Sequence, residues 1–287
     1  MSYTFYLAST AHYGTQAAES LLETGFTCLG VITPAPKPQG RKRTLIPNPA
    51  DSWAKNRGLP VIFIKDRITP ELQDQLQTAD FLLVVDFGYF VPRWLREFPK
   101  ILSVNIHPSA LPRYRGASPG QAVLLHGDAT SAVCIMTLAQ AMDAGDLLAQ
   151  IPFSVDLSWT SQDYYDHAFK LACQQLPQVL TAYARRQLTL QPQQGQPSLA
   201  GKITKADTFI SWENLWRPEN ATQIERAIRA YYPRPLAWTL VPTLNGERRL
   251  QLLQAHLDTT GQLCLDRVKL EGETAKPWDS VRGKIAT

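Results

Sequence analysis

An asparagine and a histidine stand two positions apart at the end of an apolar run in SVNIHPSALPRYRG, residues 103–116. In an extended strand, residues i and i+2 point to the same side of a sheet, so Asn105 and His107 are expected to present an amide and an imidazole together. A hydrogen-bond donor beside a group that exchanges protons near neutral pH is a small reaction centre. The competing reading is a polar pair at a strand end, satisfied by backbone groups of the following turn. A third group that orients or charges the histidine favours chemistry. AMDAGDLLAQ, residues 141–150, offers Asp143, followed by a tight Ala-Gly-Asp turn that Asp146 is expected to cap or close.

The elements that must position these groups are legible upstream. TFYLAST reads as a strand, GTQAAESLLETG as a helix ending at Gly25, and TCLGVIT as a second strand. Strand, helix, strand is a βαβ unit, and LPVIFI, the helical PELQDQLQT and DFLLVVDFG continue it. The fold class expected is α/β: a doubly wound, mostly parallel sheet, Rossmann-like in organisation. Such sheets bind ligands beyond the carboxyl ends of their strands, where SVNIH ends. Beyond it, SPGQAVLLHGD reads as a helix, and SAVCIMTLA and LLAQIPFSV as strands with a shift towards antiparallel pairing. A long amphipathic helix over 161–187 is expected to bend or break at Pro177.

LQPQQGQPSLAGKITKAD lacks an apolar period and reads as a linker. The chain then resumes with the helical ENATQIERAIRAYY, a Pro-Arg-Pro turn and short alternating runs that suggest a small β-barrel. The division expected is a first domain over 1–189, a linker over 190–203 and a shortened barrel domain over 204–287.

The 287 residues carry a net charge of +4, with 16 Lys/Arg against 15 Asp/Glu up to residue 199 and 13 against 10 beyond it. The basic excess therefore falls mostly in the last third, where a solvated surface and a polyanion-facing one are both open readings. MSYTFYLAST lacks the basic start and long apolar core of a secretion signal, and no run reaches the length of a membrane span, so a cytoplasmic protein without membrane association is expected. Cys28, Cys134, Cys173 and Cys264 are scattered without metal-ligand spacing and are expected as buried reduced thiols, with no metal site. His12, His126, His167 and His256 lack a partner motif and read as ordinary polar positions.

Taken together, NIHPSALPRYRGASPGQ and AMDAGDLLAQ resemble the formyltransferase family that uses 10-formyltetrahydrofolate. In that family Asn-x-His-x-Ser-x-Leu-Pro-x-Tyr-x-Gly precedes a Leu-Asp-x-Gly-Asp loop. PQGRKRTLIPNP is similar to a basic insertion loop, and WENLWRPENATQIERAIRAYYPRPLAW to the entry of a C-terminal OB-type barrel, in the branch that formylates methionyl initiator tRNA.

The resemblance implies acyl transfer. An amine attacks the formyl carbon, an oxyanion develops, and a proton leaves the nitrogen. It assigns Asn105 and His107 as donors to the oxyanion and Asp143 as the group that charges and orients His107. It also implies a folate site at Phe87, Gly88 and Tyr89, with Ser109, Leu111 and Pro112 in the following motif, and tRNA phosphate contacts from Arg41, Lys42 and Arg43. Arg113 and Arg115 are open between surface charge, holding their loop, and approaching phosphate. A monomer is expected.

Two features depart from the family pattern. Ala8-Ser9-Thr10-Ala11 stands where the first strand usually ends in Gly-Thr-Pro, which either narrows the approach to the folate or only alters a turn. The passage from LLQAHLDTT to QLCLDRVKL is short, so the barrel is expected to be open or incomplete. Other readings of the same centre are formyl transfer to a small amine, hydrolysis of the formyl donor, and a catalytically silent tRNA-binding protein.

Overall fold

The computed structural model describes residues 2–39, 44–244 and 246–285. Their contacts define two compact units. One comprises Met1–Pro112, Ala132–Ile151 and Ala168–Gln196; the other comprises Arg113–Ser131, Pro152–His167 and Pro197–Thr287.

The first half of the chain runs β1 (Thr4–Ser9), α1 (His12–Glu23), β2 (Thr27–Pro34), β3 (Lys37–Gln39), β4 (Thr44–Ile46), α2 (Pro49–Asn56), β5 (Val61–Ile64), β6 (Phe81–Val85), α3 (Arg93–Arg96) and β7 (Leu102–His107). There follow α4 (Pro119–His126), β8 (Thr130–Thr137), β9 (Leu147–Ser154) and α5 (Ser161–Ala184). The main sheet has seven strands in the order β5-β2-β1-β6-β7-β8-β9. Pairing is parallel from β5 through β7 and turns antiparallel at β8, as the sequence leads one to expect.

A parallel sheet needs cover on both faces. Tyr6, Ala8, Ile32, Ile62, Ile64, Leu82 and Val84 alternate onto one face and form a core with Val91 and Leu95. Phe5, Leu7, Phe81 and Leu83, with the opposite parity, are fully buried as well. Strand order reverses between β1 and β6, so the switch point lies at their carboxyl ends, next to the end of β7.

Several elements differ from the sequence reading. PELQDQ, Pro70–Gln75, is a 3-10 helix with no buried residue, too weakly anchored by packing to extend as an α-helix. Helix α5 runs unbroken past Pro177, held by the buried Leu176 and Leu180 on either side. Helix α2 and the β3–β4 pair, like the short helices at Arg93–Arg96 and Trp212–Leu215, are not evident in the sequence pattern. Helix α2 is capped by Asn48, whose side chain accepts from the Asp51 N–H. Strands β3 and β4 pair antiparallel, with Leu45 and Ile46 exposed.

In the second unit, α4 packs on α7 (Ala221–Tyr231), which follows the short α6 (Trp212–Leu215). Strands β10 (Ala237–Thr243), β11 (Gly246–Leu257), β12 (Leu263–Leu270) and β13 (Lys276–Pro277) form an antiparallel sheet in that order. Val241, Leu250, Leu252, Val268 and Leu270 are buried, as are Ile224 and Ile228 on the apolar stripe of α7. Among the described residues no ladder joins β13 to β10, and the outer edge of β10 carries isolated bridges, Trp238 to Phe209 and Thr243 to Ile285, so the barrel expected to be open or incomplete is not closed by strand pairing. Its last strand has two residues, and the turn from Asp258 to Gln262 leaves no length for another. Among the described residues no helix is long and apolar enough to cross a membrane, and no cluster of three metal-binding side chains occurs.

Candidate active site

Strand β7 carries Asn105 and His107 towards the switch point. Asn105 is paired in register with Val84 of β6 and Met136 of β8, and His107 with Cys134. Among the described residues the half-buried side-chain amide of Asn105 has no hydrogen-bond partner, which leaves its donors for a ligand. The His107 side chain is only 5% exposed, and its Nδ1 lies 3.6 Å from Asp143 Oδ2. That is ion-pair distance for a protonated imidazole and just beyond hydrogen-bond reach.

Asp143 reaches this position from the turn between β8 and β9. Its backbone is left-handed, with φ of 49°, a conformation that aspartate tolerates better than most residues. Gly145 passes so close to the end of β8 that a Cβ would stand 1.9 Å from the Thr137 carbonyl oxygen. The neighbouring Asp146 ties the turn down through its backbone. Its carbonyl accepts from the Thr137 N–H at 2.8 Å and its N–H donates to Thr137 Oγ1 at 2.9 Å. Its side chain is exposed.

From the other direction, Gln193 Nε2 donates to the carbonyl oxygens of both Asp143 and Gly145, each at 2.8 Å. Gln191 and Leu147 exchange backbone hydrogen bonds beside it, at 2.7 and 2.9 Å. Residues 191–193, read from sequence as linker, are thus bound into the turn that bears Asp143. Gly145 carries a signal in sequence as the glycine of a tight turn; Gln193, in a glutamine-rich run, carries none.

The turn after His107 is held mainly through backbone. Ser109 N–H donates to the His107 carbonyl at 2.9 Å, and Leu111 N–H to that of Ser109 at 3.0 Å. The Cys134 thiol donates to the Ser109 carbonyl at 3.2 Å, and Gln150 Nε2 to that of Leu111 at 3.1 Å. Burial pushes the Cys134 thiol up to about 11, so it stays protonated. Ser109 and Leu111 are buried, and a cis bond joins Leu111 to Pro112.

After β6, Phe87 and Tyr89 are half-buried against the core with ring centroids 5.5 Å apart. Gly88 between them is exposed, with nothing within 4 Å of where a Cβ would stand. Asp86, left-handed at φ of 46°, uses its carbonyl to accept from Thr10 N–H and Oγ1, which joins the carboxyl ends of β1 and β6. Loss of surrounding water raises the Asp86 carboxyl above its usual range, against the opposing pull of His12.

Ser9 is fully buried, and its Oγ accepts from the Ala11 N–H at 3.2 Å. The hydroxyl lies where a Cβ on Gly14 would meet it, so it faces α1 rather than the cleft. The substitution alters a turn and leaves the approach to the switch point open. Arg41, Lys42 and Arg43 lie outside the described residues. In the second unit Arg113 is committed locally, with Nη2 donating to Asp128 Oδ2 and to the Tyr114 hydroxyl, each at 2.7 Å. Arg115 is bridged through its backbone to residues 198–200.

Residues 6–180 match the family described as formyl transferase, and residues 202–276 match the formyl transferase C-terminal domain. A methionyl-tRNA formyltransferase of Legionella pneumophila strain Paris is 33% identical over 255 residues, covering 88% of this chain and 78% of that protein. That of strain Corby is 33% identical over 244 residues, covering 84% of this chain and 76% of its own. Among solved structures, methionyl-tRNA formyltransferase from Clostridium thermocellum superposes with a TM-score of 0.64 at 17% identity, over 95% of this chain and all of that one. HypX from Aquifex aeolicus in complex with tetrahydrofolic acid gives 0.68 at 14% identity, over 98% of this chain and 47% of that one.

Proposed function

The chain belongs to the formyl transferase family, and from that premise we propose that it moves the formyl group of 10-formyltetrahydrofolate to the α-amino group of methionyl initiator tRNA. The observation that carries the substrate is the 33% identity, across 88% of the chain, to proteins named for that reaction. The second unit, with its match to the C-terminal formyl transferase domain, accords with a macromolecular acceptor. Acting on an aminoacyl-tRNA, the enzyme would work where translation takes place.

The chemistry assigned to the site follows from what surrounds the end of β7. The methionyl amine attacks the formyl carbon, and the carbonyl electron pair moves onto oxygen. Asn105, with its uncommitted amide donors, and His107, protonated, donate to that oxygen. Asp143, 3.6 Å from Nδ1, favours the charged imidazole and takes the proton leaving the amine, directly or through a water. As the oxyanion collapses, the bond to the folate nitrogen breaks and that nitrogen takes the proton that Asp143 received from the amine, directly or through a water. The folate fits best along Phe87, Gly88 and Tyr89, where the switch point leaves backbone exposed, and beside the turn of Ser109, Leu111 and Pro112. Arg41, Lys42 and Arg43 are assigned to tRNA phosphates. An electrophile already activated as an N-formyl group needs no metal.

The test is formyl transfer from 10-formyltetrahydrofolate to methionyl initiator tRNA, beside uncharged tRNA and free methionine. Formylated product from the charged tRNA alone is expected. Equal product from free methionine, or release of formate with every acceptor, would overturn the assignment.

A further inference from the structure

We infer that Gln193 is a positioning residue for the reaction, a two-pronged clamp that sets Asp143 against His107. The inference rests on the reading of Asp143 as the catalytic carboxylate. A primary amide nitrogen carries two hydrogens, and Gln193 Nε2 spends them on two carbonyl oxygens of one turn, those of Asp143 and Gly145, each at 2.8 Å. The first belongs to the peptide unit that leaves Asp143 and the second to the unit two residues on, so both hold the chain immediately after the residue whose side chain is aimed. The turn is otherwise committed to a left-handed residue at φ of 49° and to a glycine pressed on Thr137.

Left-handed backbone at a residue with a Cβ persists where surrounding contacts over-determine it. Contacts that do so here include Ala144 N–H on the Ala141 carbonyl, Thr137 on Asp146, Gln191 on Leu147, and Gln193 on Asp143 and Gly145. Gln193 grips the carbonyl of the residue that bears the carboxylate. Its own position is fixed by the adjacent Gln191–Leu147 bridge. The clamp touches no reacting atom. Its effect on rate passes through the distance between Asp143 and His107, 3.6 Å at the atoms nearest each other.

Gln193→Met keeps the length of the side chain and removes both donors. Gln193→Glu places oxygens against the two carbonyls. Either variant, with its melting temperature within a few degrees of wild type, is expected to lose about tenfold to hundredfold in kcat. The KM for the folate and for the tRNA should stay within about threefold. A fold disturbed in general would move KM as well.

The deciding measurement is a double-mutant cycle with Asp143→Asn by single-turnover kinetics. Once the carboxylate is gone, its position has nothing left to set. Q193M should therefore slow D143N by less than about threefold. Wild-type kcat in folded Q193M and Q193E beside a crippled D143N would overturn the clamp and leave the reading of Asp143 intact. So would an equal loss from Q193M in both backgrounds. A D143N enzyme with wild-type turnover would instead overturn the reading of Asp143, and the clamp with it.

Discussion

Gly145→Ala tests whether the geometry of the turn sets the rate. An added Cβ would stand 1.9 Å from the Thr137 carbonyl oxygen and 2.7 Å from its Oγ1, whereas real Cβ contacts keep to 3.0 Å or more. Because the obstruction is β-sheet backbone, the turn has to give way, by about 1.1 Å. Carried to Asp143, two residues back, that opens the 3.6 Å contact with His107 to about 4.7 Å. At an effective dielectric constant of about 20, the attraction between carboxylate and imidazolium falls from about 4.6 to about 3.5 kcal/mol. The loss of about 1.1 kcal/mol is worth about sixfold in rate if it is felt fully in the transition state. Misplacement of the proton acceptor by about 1 Å can add to this, up to about 10²-fold. The expected kcat for formyl transfer is therefore lower by about sixfold to about a hundredfold, with the KM for folate and tRNA within about twofold. Steady-state assays at saturating co-substrate, beside a thermal melt of the same preparation, read both. A folded G145A protein with wild-type turnover would refute the link from turn position to rate.

Asn105→Ala removes an amide that has no protein partner among the described residues, so it should leave stability nearly unchanged while kcat falls on the order of 10²–10³-fold. Turnover within threefold of wild type would strike Asn105 from the oxyanion site. Gly88→Ala adds a methyl group in open space, and the melting temperature should not move; a rise of at least about tenfold in the KM for 10-formyltetrahydrofolate is expected if the folate approaches that backbone, and an unchanged KM would place the ligand elsewhere. Hydrogen bonds from Lys284 and Lys276 hold the Glu273 carboxyl down at about 2. Since the folded value lies below the unfolded one, the stabilisation is present above about pH 4.5 and disappears as pH falls towards 2. Urea midpoints of Glu273→Gln should then trail wild type at pH 6, converge with it at pH 2, and show a smaller gap in 1 M salt. A gap independent of pH would count against this pairing.

The doubly wound sheet was legible because its strands are buried on both faces, and that burial is written as apolar runs separated by helical periods. Short elements were not: α2 turns on one capping asparagine and the β3–β4 pair on three residues a side, too few for a period to emerge. Pro177 misled in the opposite sense. A local rule predicts a break, but Leu176 and Leu180 are buried regardless of the hydrogen bond that proline cannot make.

The same distinction runs through the candidate site. His107 and Asp143 meet as two side chains of complementary chemistry, and each leaves its own mark in the sequence. Gln193 meets two backbone carbonyls, and a carbonyl stands at every position of the chain. A side chain that recognises another is written twice, once at each end; a side chain that recognises backbone is written once, with nothing at its target to answer it. The groups that perform chemistry can therefore be found by their pairing, while those that aim them by gripping the chain become visible only after it has folded.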